Sequence, residues 1–134
     1  MNINTALVKE AISQISAIPN LYMDPHYLVL DLLALTSVES FDSDEKFSSV
    51  IRTLIHSFEL ISKYPESGES LKNDFYGYSS YHFLSDYPSN HPHDDMRIIY
   101  TTQDDQLWII GFGHRYLPSD IYDKLRSLKR HSSY

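Results

Sequence analysis

Apolar residues recur at helical spacing in the first half of the chain and gather into short β-branched and aromatic runs in the second. Leu7, Ala11, Ile15 and Ile18 form the first periodic set, opened by Asn4 or Thr5 as a cap and broken by Pro19 and Asn20. Asp24 followed by Pro25 predicts a second helix start. The run behind it, HYLVLDLLALTSV, is apolar on nearly every side except at Asp31, so this helix should be buried. Asp42 with Glu45 three residues on resembles a capping box, and the helix it opens carries Phe47, Leu54, Phe58 and Ile61 as a core stripe before Pro65 stops it. After the turn-forming ESGES, Tyr76 to Leu84 has strand composition and Ser85 to Asp95 reads as a loop. Pro118 and Ser119 start a last helix with Ile121, Leu125 and Leu128 on one side. Helices, then an antiparallel sheet of three to four strands, then a closing helix predict an α+β domain.

The sheet centres on a hairpin. Met96 to Gln103 and Gln106 to Phe112 are rich in β-branched and aromatic residues, with only Asp104 and Asp105 between them as turn formers. A two-residue loop sets Gln103 opposite Gln106, and an unbroken register then sets Arg97 opposite Phe112, with His114 as its diagonal neighbour. Side chains alternate with a period of two, so Arg97, His114 and Tyr116 are expected on one face and Arg115 on the other. Diagonal neighbours stand ~7–8 Å apart. That gap accommodates a phosphate between a guanidinium and an imidazole.

Composition narrows the classes. The 134 residues, 42% of them hydrophobic, fit one domain large enough to bury a core. The absence of cysteine excludes a disulfide scaffold, thiol catalysis and thiolate-bound zinc. No basic leader with an apolar run opens the sequence, and no segment approaches the ~20 consecutive apolar residues of a membrane span, so a cytoplasmic location without membrane contact is expected. A net charge of -7 argues against broad affinity for nucleic acid. The exception is the stretch holding Lys124, Arg126, Lys129 and Arg130, which has no acid and reads either as a focused RNA-binding patch or as cations complementing a helix dipole. Neither an internal repeat nor a Gly-rich phosphate loop is present.

Several residues together resemble the RelE/ParE superfamily of bacterial type II toxins. They are Leu71 and Gly77 of SLKNDFYGYSS, Arg97 of MRIIY, the paired acids Asp104 and Asp105, and the closing GHRY. The resemblance covers roughly the last two thirds of the chain, and it implies a common core over residues 41–134 preceded by an extra helical region over residues 1–40. It also implies a metal-independent endoribonuclease that needs no cofactor, cleaves mRNA at the ribosome and inhibits translation, with a cognate antitoxin covering its active face. Homodimers or toxin–antitoxin hetero-oligomers are the assemblies it suggests. Carried over to this sequence, Arg97 would hold the scissile phosphate, His114 would act as acid or base, Tyr116 would stack on a base or assist proton transfer, and Arg115 would stabilise the phosphorane. His82 and Tyr122 are further catalytic candidates, and Lys72 lies on the polar approach to the site. The family also contains members directed at gyrase, and a silent, non-cleaving interaction protein is the alternative reading.

Two other readings come from the residues alone. His91, His93, Asp94 and Asp95, with His82 and Asp86 nearby, are metal-ligand types at poor spacing in a proline-containing loop, so a solvated loop is favoured and no metal is expected. His26 and His56, set among apolar helical residues, read as structural. Tyr76, Tyr78, Tyr81 and Tyr87 supply a contact surface that suits protein or RNA equally.

Overall fold

A computed structural model describes residues 4–38, 41–85, 94–115, 120–127 and 130. Among them are four α-helices and a five-stranded mixed sheet, so the α+β architecture stands. Helix α1 (Thr5–Ser16) is capped by Asn4, whose side chain accepts from Ala6 N, and α2 (Pro25–Leu35) by Asp24, which accepts from His26 N. Helix α3 (Asp44–Lys63) starts one residue later than the Asp42 signal suggested. Ser43 has the extended backbone of a cap and accepts from Lys46 N, while Asp42 pairs with the Lys46 ammonium at 3.2 Å. None of these helices is long and apolar enough to cross a membrane.

The sheet has five strands where the sequence suggested three to four. The additional ones, β1 (Leu21–Met23) and β2 (Glu69–Ser70), are too short for any alternation to show. With β3 (Ser79–Phe83), β4 (Met96–Gln103) and β5 (Gln106–His114) the order is β1-β5-β4-β3-β2, and β1 runs parallel to β5 at one edge. The hairpin turn is the two-residue one expected. Asp104 and Asp105 both take positive φ, as a turn that follows the strand twist requires, and Gln103 faces Gln106.

Helices α1 to α3 cover one face of the sheet. Ile15, Leu32, Phe47, Leu54 and Phe58 pack there on Met96, Ile98, Ile109 and Phe112. The other face carries a smaller cluster in which Ile99 and Ile110 meet Phe75 and, from helix α4 (Ile121–Ser127), Ile121 and Leu125. Tyr100 ties this sandwich to the segment before β2. Its buried hydroxyl donates to Pro65 O at 2.6 Å and accepts from Gly68 N at 3.0 Å. Tyr100→Phe leaves both backbone groups short of a partner, and urea titration should show a loss of about 1–3 kcal/mol. A shift near zero would mean that water replaces the hydroxyl.

Candidate functional site

One extra residue in β5 decides which side chains meet. From the turn the pairing runs in register as far as Tyr100 opposite Ile109, and then Ile99 pairs with Gly111, leaving Ile110 without a counterpart. This β-bulge moves every later residue of β5 to the other face. Arg97 therefore stands opposite Gly113, not Phe112, and His114 stands opposite Met96. The expected sharing of one face by Arg97 and His114 is corrected accordingly. His114 lies on the α1–α3 side with its ring edge-on to Phe41, buried at 3% exposure, while Arg97 lies on the α4 side.

Gly111 sits in the bulge under α4, where a Cβ would come within 2.6 Å of the buried Leu125 Cδ2 and that side chain would have to shift.

The Arg97 face gathers a different set. His82 pairs directly with Arg97 across β3 and β4, and Ser80, two residues before His82, shares its face. From α4, the Tyr122 hydroxyl bonds Ser80 Oγ at 2.8 Å. The Arg115 guanidinium stands 5.3 Å from the Tyr122 ring centroid and pairs with Asp120. Arg115, expected to point away, thus joins Arg97 by the same one-residue shift that removes His114. Arg97 Nη1 donates to the carbonyls of Asp94 at 2.5 Å and Met96 at 3.1 Å, which fixes the guanidinium at the base of β4.

Glu69, unmarked in the sequence reading, stands with its carboxylate 3.9 Å from His82 Nε2, and β2 pairing with β3 brings it there. The only sequence cue was its place within the turn-forming ESGES. Burial lowers the pKa of the half-buried His82 ring. The Arg97 field, and more weakly that of Arg115, lowers it further, against Glu69 and Asp94, which raise it. His82 is thereby held neutral at neutral pH, a base opposite Arg97 and within the field of Arg115.

Two cations of the supposed basic patch, Lys124 and Arg130, are turned inward. Strand β1 covers β5 only from Leu107 to Ile109, so the next stretch of that edge needs other partners. Asp31, fully buried on α2, accepts from Phe112 N at 3.0 Å and from Arg130 Nη1 at 2.8 Å, and faces Lys124 Nζ at 3.0 Å. Arg130 in turn donates to Ile110 O at 3.2 Å and lies over the Tyr27 ring. Arg130 has 0% exposure and Lys124 is mostly covered, so the RNA-contact role read for them is corrected to one of capping a strand edge.

Arg126 is more exposed but pairs with Asp74 and Asp123 and covers Phe75. Lys72 is exposed, just before the turn Asn73–Phe75. Tyr116, Lys129, Tyr87, His91 and His93 lie outside the described residues.

Family models, curated proteins and solved structures yield no match to this chain.

Proposed function

We propose that this chain is the toxin of a toxin–antitoxin pair, an endoribonuclease that cleaves mRNA and so inhibits translation. The observation that carries the reading is the convergence of His82, Arg97, Arg115 and Tyr122 on one sheet face. RNA self-cleavage needs a base for the 2′-hydroxyl proton, a donor for the leaving 5′-oxygen and cations around the phosphorane. His82 serves as the base, oriented by Glu69, and the Tyr122 hydroxyl as the donor. Arg97 and Arg115 bind the phosphate, their planar forks matching its oxygens. The 2′-oxygen attacks phosphorus, its proton passes to His82, the bond to the 5′-oxygen breaks, and that oxygen takes the Tyr122 proton. A cyclic 2′,3′-phosphate remains on one product. The antitoxin would cover this face.

A non-cleaving interaction protein is the second reading. It draws support from the net charge of -7 and from the engagement of Lys124 and Arg130 inside the fold.

Induced expression separates the two. The wild type should arrest growth and degrade transcripts, and the purified protein should cut single-stranded RNA in the presence of EDTA. Arg97→Ala should abolish both effects while remaining folded by circular dichroism. A harmless wild type that leaves translation running removes the nuclease reading.

A further inference from the structure

Ser85, Asp95 and His114 are sealed from solvent at 1%, 0% and 3% exposure, and the chemistry above uses none of them. They come from three chain segments. Ser85 follows β3, Asp95 precedes β4 and His114 ends β5. Asp95 Oδ1 accepts the Ser85 backbone N–H at 2.7 Å, Oδ2 accepts the Ser85 hydroxyl at 2.6 Å, and Oδ2 also faces His114 Nε2 at 3.5 Å. Burial alone would raise the Asp95 pKa, but the bonds to His114 and Ser85 outweigh it and hold the carboxylate below its usual range. A carboxylate placed this deeply needs such partners to offset its lost hydration.

The backbone beside that carboxylate carries both arginines of the candidate site. Asp95 O accepts the Arg115 N–H at 2.7 Å, and Asp94 O accepts Arg97 Nη1 at 2.5 Å. We propose that Asp95, held by Ser85 and His114, is a positioning residue: it fixes the Asp94–Asp95 segment, whose two carbonyls set where Arg97 and Arg115 stand relative to His82. His114 is then a support on the rear face and not the acid or base. The consequence for catalysis rests on the nuclease reading, whereas the placement of the arginines does not.

Asp95→Asn keeps the shape and removes the charge, and it is followed by two measurements. The first is the side-chain Nε–Hε resonances of Arg97 and Arg115 in NMR spectra, with the exposed Arg52 as internal reference. The second is the pH–rate profile on a short single-stranded RNA. Both arginine resonances should move while that of Arg52 stays, and kcat should fall about a hundredfold, the scale of a misplaced catalytic group. The acidic limb of the profile should persist because His82 is intact, shifted toward higher pH where the guanidiniums move away from it, and His114→Gln should lower the plateau in the same way. Unmoved arginine resonances in folded Asp95→Asn overturn the proposal, as does loss of the acidic limb in His114→Gln. Should Asp95→Asn fail to fold, Ser85→Ala removes a single side-chain bond and is read by the same resonances. If the wild type cuts no RNA, the functional reading fails and the resonances alone decide the positioning role.

Discussion

Asp31→Ala should cost about 3–5 kcal/mol of stability, the scale of stranding one member of a buried ion pair. Three groups each lose a partner at once. Phe112 N–H loses its acceptor on an edge that β1 does not reach, Lys124 loses its counter-ion, and Arg130 keeps its charge in a place with no access to water. Lys124 can relax because its side chain retains some exposure, whereas Arg130 has none. Urea unfolding of the wild type, Asp31→Ala, Arg130→Met and the combined Asp31→Leu/Arg130→Met variant separates the terms. The double variant should recover a large part of the loss, since two well-packed apolar side chains avoid the desolvation that the ion pair incurs. If Asp31→Ala shifts the midpoint by less than about 1 kcal/mol, the scale of an exposed ion pair, then the pair is not buried in solution.

His82→Gln should likewise have a large effect on activity. Removal of a general base costs on the order of a hundredfold or more in rate. The ring is only half-buried, so stability should change little. Burial and then the Arg97 field hold the His82 pKa below the ordinary 6.5. The base is neutral above that pKa, so wild-type kcat/KM should be flat through pH 7 and fall only at pH values below about 6.5. Arg97→Ala removes one of the lowering influences, so the acidic limb of any residual activity should move to higher pH. An unchanged rate in His82→Gln would return the base role to another residue, Glu69 first by proximity.

Local signals carried much of the fold. Asn4, Asp24 and Pro25 mark helix starts because capping is a contact between residues two or three apart, and Asp104 and Asp105 mark the hairpin because a two-residue turn needs two positive φ angles. The alternation Ser80, Tyr81, His82, Phe83 likewise shows which side chains of β3 face the polar side. Candidates for the site were also legible by type, since Arg97, Arg115, His82 and Tyr122 are the residues phosphate chemistry calls for. Glu69 was not, because its role depends on a two-residue strand that only pairing with β3 creates.

What the sequence determined by itself, then, is the helical first half, the hairpin with its turn, and the supply of cations, imidazoles and phenols near its mouth. The tertiary structure decided which of them meet. Period-two counting assumes an unbroken ladder, and the unpaired Ile110 beside Gly111 breaks it, sending His114 to the rear face and Arg115 to the front. The fate of the cations was hidden for a related reason. Arg130 and Asp31 lie 99 residues apart, and only the folded contact between α2 and the uncovered edge of β5 turns an apparent surface patch into an internal brace.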